Sequence, residues 1–282
     1  MTISEIKRLL AQYDIRLSKR LGQNFLHDAN QLRKIVATAQ LNKTDKVMEI
    51  GPGLGPLTEL LVHNSKEVLV IEKDERLAQI LKTRFGKVEN LKIINDDALL
   101  YLIKNSDQDF SQWVIVSNLP YSVASPILVE FSKLVLPPQK IVVTIQSEVA
   151  DRIVASPSQP DYGLLTLFIQ LRYIPAAYFK IPPSCFFPEP KVDSACIRLE
   201  KRRDDLLPLQ NQRELFYKIV SRAFSQRRKM MFKLLKSDFP SPLLKEAFSH
   251  NSIPDEARGE SVSLKQFVGL TKFIFPHLNS VN

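Results

Sequence analysis

The chain of 282 residues is predicted to fold as a doubly wound, mostly parallel α/β domain followed by a smaller all-helical domain. Apolar, β-branched runs of strand length alternate with helical patterns through the first two thirds, as expected for strands buried on both faces of a parallel sheet. A glycine turn, Gly51-Pro52-Gly53-Leu54-Gly55, stands between one such strand and a helix. Beyond Pro208 the apolar positions follow a 3.6-residue period.

Lys46-Val47-Met48-Glu49-Ile50 reads as the first strand of the sheet, and Leu57 to Val62 as the start of the helix after the glycines. That order brings backbone close to a ligand at a helix N-terminus. Pro56 breaks the G-x-G-x-x-G spacing, so a dinucleotide pyrophosphate cradle is excluded. The next strand, 68 to 72, ends on Glu72, placed to accept both hydroxyls of a ribose, which implies a nucleoside. After the strand 91 to 95 come Asp96 and Asp97, where an acidic side chain suits an adenine amino group. Each carboxylate alone also fits a solvated strand end or a helix cap. Their recurrence at successive strand ends favours the ligand.

The strand 113 to 117 leads into Asn118-Leu119-Pro120-Tyr121, where open α/β sheets place their chemistry. An exocyclic adenine amine is a poor nucleophile, because its lone pair is delocalised into the ring. Two fixed acceptors, the Asn118 side-chain oxygen and a backbone carbonyl exposed by the Pro120 geometry, would draw that nitrogen toward a tetrahedral shape. Tyr121 offers a face on which a base stacks. The competing reading is a proline turn in which Asn118 caps the next helix. Further strands are expected at 140 to 145 and 195 to 200.

The boundary is placed at 202/203, giving a catalytic domain, 1–202, with a basic segment at 1–34, and a helical domain, 203–282. Formal charge is +4 over residues 1–34, −2 over 35–200 and +7 over 201–282, the footprint of a polyanion-binding protein. In the last domain Leu215, Phe216, Ile219, Val220, Leu234 and Leu235 form an apolar stripe opposite Lys218, Arg222 and Lys233. Arg227 projects into that stripe on one continuous helix, so either the helix breaks near Ser225-Gln226 or the guanidinium is placed for a purpose. Ser263 to Ile274 is expected to be helical, closed by Pro276.

These segments, with Lys19-Arg20-Leu21-Gly22-Gln23-Asn24-Phe25-Leu26 and Phe186-Phe187-Pro188-Glu189-Pro190-Lys191-Val192-Asp193-Ser194, resemble bacterial small-subunit ribosomal RNA adenine N6,N6-dimethyltransferases of the KsgA type over nearly the whole length. The resemblance implies a Rossmann-like S-adenosylmethionine-dependent methyltransferase domain. It also implies an added strand near Tyr173 to Ile181, an antiparallel last strand, and dimethylation of two adjacent adenosines in a hairpin near the 3′ end of small-subunit rRNA. Asn24, Leu26, Gly51, Glu72, Asp97 and Asn118 match the family's S-adenosylmethionine contacts, and Asn118, Leu119, Pro120, Tyr121 and Phe186 its catalytic positions. Tyr121 and Phe186 match the aromatic residues that hold the flipped adenine. Arg222, Arg227, Arg228 and Lys229 belong to the RNA-binding side. Ser147 and Met230-Met231-Phe232 depart from the commoner pattern. The alternatives are large-subunit rRNA methylation and a non-enzymatic assembly or transcription factor on the same scaffold.

Neither Cys185 and Cys196 nor the scattered histidines have metal-ligand spacing, so no metal is expected. Cys185 reads as a buried filler. No run of 18 apolar residues and no signal-like N-terminus occurs, which points to a cytoplasmic protein. The resemblance implies rRNA within a partly assembled small subunit as the partner, and a monomer is expected.

Overall fold

The computed structural model describes residues 1–15 and 23–278; Lys19 to Gly22 of the N-terminal motif lie outside them. The strands are β1 (Phe25–Leu26), β2 (Lys46–Ile50), β3 (Glu67–Glu72), β4 (Leu91–Asn95), β5 (Trp113–Asn118), β6 (Lys140–Gln146), β7 (Tyr173–Ile181), β8 (Phe186–Phe187) and β9 (Ser194–Lys201). The helices are α1 (Ile3–Gln12), α2 (Ala29–Ala39), α3 (Pro56–Asn64), α4 (Glu75–Phe85), α5 (Ala98–Lys104), α6 (Ala124–Lys133), α7 (Ser147–Val154), α8 (Leu164–Gln170), α9 (Gln210–Ala223), α10 (Met231–Leu235), α11 (Ser241–His250) and α12 (Leu264–Leu278).

Seven strands form one sheet in the order β4-β3-β2-β5-β6-β9-β7, the expected doubly wound arrangement. The pairs among β2 to β6 are parallel, and β9 runs antiparallel to β6. Val47, Val68, Val70, Val114, Val116 and Val142 bury one face of this sheet in a layer shared with Leu32 and Ile35 of α2 and Leu57 and Leu61 of α3. The period of two within each strand puts those valines on a common side. Asp28, Asp74 and Asp97 cap α2, α4 and α5 by accepting backbone N–H bonds, which sets where each helix begins. No described helix is long and apolar enough to cross a membrane.

Two compact units are resolved, Met1–Ala150 with Ile174–Lys201, and Asp151–Tyr173 with Arg202–Asn282. Residues 151–173, which the sequence boundary leaves in the first domain, thus group with the second unit. Leu167 and Leu171 bury against a cluster that includes Phe216, Ile219, Phe267 and Leu270, and the Tyr162 hydroxyl donates to the Val262 carbonyl at 2.8 Å.

The long C-terminal stripe is two helices, not one. α9 stops at Ala223, and the Met231 N–H that begins α10 donates to the Ala257 carbonyl at 2.8 Å. Met231 is fully buried there and the partly buried Phe232 packs edge-on against Phe248, so two residues of the departing Met230-Met231-Phe232 stretch pack in or against the core of this unit. Pro276 does not close α12, which continues to Leu278; a proline in the last turn forfeits only one backbone bond.

α11 and α12 pack where Gly269 has no side chain. A Cβ at that position would overlap Oδ1 of Asn251, whose amide donates to the Ala247 carbonyl at 2.7 Å and closes α11. Gly269→Ala is therefore expected to destabilise the protein by ~1–3 kcal/mol through overpacking, measured by denaturant unfolding. An unchanged midpoint would show that Asn251 moves aside freely.

Candidate active site

A cavity opens at the carboxyl ends of β2, β3 and β5, and its walls include Asn24, Leu26, Gly51, Glu72, Asp97 and Asn118. All six residues that the family resemblance assigns to the methyl donor therefore line one space. Gly51, Gly53 and Gly55 have φ of +64°, +60° and +83°, a left-handed turn that side chains resist. The turn is also crowded: a Cβ on Gly51 would come within 3.1 Å of the Pro120 ring, and one on Gly53 within 2.7 Å of the Phe25 ring. α1 backs this loop through Ile6 and Leu10, which cluster with Leu54, Phe25 and Leu77.

Glu72 ends β3 almost wholly buried. Its carboxylate accepts the Gly53 N–H at 3.1 Å and the Asp74 N–H at 2.9 Å, so it shapes the glycine loop besides facing the cavity. Burial raises its pKa, and those two backbone bonds offset part of the rise. Asp97 caps α5 and takes the Lys73 ammonium at 2.6 Å, which holds its carboxyl below the ordinary range. The cap and the cavity-wall readings of Asp97 both hold. Its neighbour Asp96 also lines the space.

Asn118 does not cap α6, whose first turn has no side-chain cap. Its Nδ2 donates to the Asn24 carbonyl at 3.1 Å, and a carbonyl only accepts, so the amide is fixed with nitrogen toward Asn24. Its Oδ1 is buried and accepts no hydrogen bond from any described residue. Leu119 is buried, its N–H donating to the Thr144 carbonyl at 3.0 Å. The Tyr121 hydroxyl hydrogen-bonds to Ser194, the first residue of β9, and burial raises its pKa. That bond joins the 118–121 loop to the end of the 186–194 motif.

The same motif meets the N-terminal one in a two-stranded antiparallel sheet, with Phe25 opposite Phe187 and Leu26 opposite Phe186. Phe186 is buried in the layer that holds Leu26, Ile181 and Cys185, and it does not line the cavity. The adenine-holding role read from the resemblance finds no open ring face here, because pairing with β1 turns this side chain into the core. Cys185 is the small buried filler expected from sequence.

Glu49 has no part in the sequence reading, yet it lines the cavity from inside β2. The Thr58 hydroxyl donates to it at 2.6 Å. Burial pushes its carboxyl up to about 8, against which Thr58 acts and to which the nearby Glu72 adds. A lone acidic residue inside an otherwise apolar strand was the signal available for it.

In the second unit, residues 225–229 lie exposed between α9 and α10. Arg227, Arg228 and Lys229 are on that loop, so the helix break places Arg227 in solvent and not in the apolar stripe. Arg222 differs from them: it lies in the last turn of α9 and binds Asp238 through Nε at 2.5 Å and Nη2 at 3.2 Å, which neutralises its charge locally.

A family model described as ribosomal RNA adenine dimethylase matches residues 15–275. Ribosomal RNA small subunit methyltransferase A of Clostridium perfringens is 38% identical over 99% of this chain and 100% of its own length. The protein of the same name from Clostridium acetobutylicum is 37% identical over 95% and 98%. Among solved structures, a dimethyladenosine transferase from Plasmodium falciparum superposes with a TM-score of 0.76 at 24% identity, covering 89% of this chain and 98% of that one. The 23S rRNA methyltransferase ErmE does so with a TM-score of 0.67 at 25% identity, over 89% and 99%.

Titration of Glu49 gives a pH test of the cavity. Between its ordinary value of 4.5 and about 8 the folded chain keeps a proton that the unfolded chain has lost, so stability falls as pH rises through that window. Glu49→Gln keeps the acceptor for Thr58 and removes the titration. The variant is expected to melt above wild type at pH 8 and no higher than wild type at pH 5, by scanning calorimetry. Parallel pH profiles for the two proteins would show that Glu49 ionises normally.

Proposed function

The chain belongs to the ribosomal RNA adenine dimethylase family, and on that premise we propose that it transfers methyl groups from S-adenosylmethionine to N6 of two adjacent adenosines near the 3′ end of small-subunit rRNA. The observation that carries this reading is Asn118. Its amide is oriented by the Asn24 carbonyl, its Oδ1 has no partner among the described residues, and it shares one cavity with the ribose-type acceptor Glu72. The names of the full-length relatives support the small subunit as target.

The cavity suits the methyl donor. Glu72 ends the strand beside the glycine loop, Gly51 leaves the backbone bare, Asp96 and Asp97 supply carboxylates for the adenine amino group, and Asn24 and Leu26 also line the wall. When bound, S-adenosylmethionine supplies an electrophilic methyl group on a cationic sulfur. The residues of this chain then act on the target base. Asn118 Oδ1 accepts a hydrogen bond from N6 and draws the amine out of conjugation. Pro120, in close contact with Gly51, fixes the direction of the adjoining backbone carbonyl. Tyr121, anchored through Ser194, presents its half-buried ring to the extruded base. Phe186, buried in the core, pairs with Leu26 of the cavity wall. Alignment supplies the rate enhancement and no strong base is needed, because the methylated amine is acidic while cationic. The substrate is rRNA within a partly assembled small subunit, encountered in the cytoplasm.

Incubation with unmodified small subunits is expected to give two adjacent dimethylated adenosines near the rRNA 3′ end, read by mass spectrometry of mapped fragments. Methylation confined to large-subunit RNA would overturn the target assignment. For the donor, Glu72→Gln is expected to weaken S-adenosylmethionine binding about ten-fold, in line with ~1.5–3 kcal/mol for a charge-assisted hydrogen bond. Calorimetry decides this, and undiminished affinity would remove Glu72 from the site.

On the RNA side, replacing Arg227, Arg228 and Lys229 with Gln is expected to flatten the dependence of log affinity on log salt by slightly less than about one unit for each phosphate that is no longer neutralised. Arg222→Gln is expected to leave that slope nearly unchanged and to lower the melting temperature instead, since its guanidinium is held by Asp238. Filter binding to small subunits at several salt concentrations checks both, and an unaltered slope in the triple variant would place the docking surface elsewhere.

A further inference from the structure

The β2–β3 ladder runs to Ile50↔Ile71 and the β5–β6 ladder to Asn118↔Thr144, whereas the β2–β5 ladder stops at Met48↔Ile115. Continued register would set Ile50 beside Ser117. Instead the Ser117 hydroxyl fills the gap: it accepts the Ile50 N–H at 3.2 Å and donates to the Ile50 carbonyl at 2.5 Å. One side-chain oxygen thus satisfies both backbone groups of Ile50, and Ser117 is fully buried. On the other side of the same strand end, the Gly51 N–H is tied to the Ile71 carbonyl at 2.9 Å.

Ile50 is the root of the glycine loop, and Ser117 is the root of the loop that begins with Asn118. The loops lie close together, since even a Cβ on Gly51 would come 3.1 Å from the Pro120 ring. The width of the gap between Ile50 and Ser117 therefore sets how far the donor side of the cavity stands from the acceptor side. Serine meets the requirement for a short group that donates and accepts at once. Alanine would leave a buried N–H and a buried carbonyl unpaired, and the two strand ends would shift to satisfy them.

We infer that Ser117 is a positioning residue whose hydroxyl, wedged between β2 and β5, fixes the spacing of the Gly51 loop and the Asn118 loop and with it the methyl-transfer distance. The inference rests on the functional reading above. It assigns Ser117 no contact with either substrate, and its effect falls on turnover more than on binding.

The test compares wild type with Ser117→Ala, Ser117→Thr and Ser117→Val in steady-state methylation of unmodified small subunits, alongside calorimetric S-adenosylmethionine affinity and a melting curve for each. Thr and Val have nearly the same shape and differ in the hydroxyl, so the pair separates hydrogen bonding from volume. Misplacement of reacting groups by about 1 Å costs on the order of 100-fold in rate. Accordingly, kcat per folded molecule is expected to fall roughly 10- to 100-fold in the Ala and Val variants, with Kd for S-adenosylmethionine changed less than about three-fold and kcat largely restored in the Thr variant. Wild-type kcat per folded molecule in Ala or Val overturns the inference, as does a decline that only tracks the unfolded fraction, or a Thr variant as slow as Val. A wild-type chain that methylates no adenine would instead sink the functional reading.

Discussion

β2 and β5 pair from Lys46↔Trp113 to Met48↔Ile115 and then separate, because β2 goes on pairing with β3 while β5 goes on pairing with β6. A parallel sheet wound in both directions opens at such a point, and the loops leaving the two strands form the walls of the opening. Here those loops are Gly51 to Gly55 and Asn118 to Tyr121. The donor side and the acceptor side of the chemistry are thus neighbours by topology before any side chain is considered. Side chains then refine the spacing: Pro120 packs on Gly51, Phe25 on Gly53, and the Asn24 carbonyl holds the Asn118 amide.

The electrostatics of the opening follow from the same geometry. Glu49 and Glu72 lie on adjacent strands, both are buried, and burial favours their neutral forms. The Gly53 and Asp74 N–H groups and the Thr58 hydroxyl work in the opposite direction. A pocket with two reluctant carboxylates favours a ligand that brings hydrogen-bond donors and positive charge, and it disfavours a pyrophosphate. The glycine turn leads to the same conclusion through its spacing.

The second unit manages its charge differently. A continuous helix through residues 215 to 235 would bury Arg227 among apolar side chains, at a large desolvation cost. Ending α9 at Ala223 and restarting at Met231, held by the Ala257 carbonyl, buries Met231 and leaves Arg227, Arg228 and Lys229 in solvent. Arg222, still on the helix, is neutralised by Asp238 and stabilises the fold. The 222–229 segment therefore holds three cations exposed to solvent and one committed to the structure.

Six of the seven strands of the sheet, the glycine turn, the acidic strand ends and the family are legible in the order of residues, because burial on a parallel sheet writes a local pattern of β-branched residues and glycine marks the left-handed turn at 51–55, whereas β7 is expected only from the family resemblance. The sheet runs are found at 46–50, 67–72, 91–95, 113–118, 140–146 and 194–201, each within a residue of expectation. The short strands β1 and β8 carry no such pattern. Two residues each are too few for a period, and they form only because Phe25 and Leu26 meet Phe187 and Phe186 from far along the chain. That meeting buried Phe186, which motif matching alone had turned toward a base. The Tyr121–Ser194 bond, the Ser117 bridge to Ile50 and the raised pKa of Glu49 belong to the same class. Each depends on which distant atoms surround a side chain and how much water they exclude, and neither quantity has a local imprint along the chain.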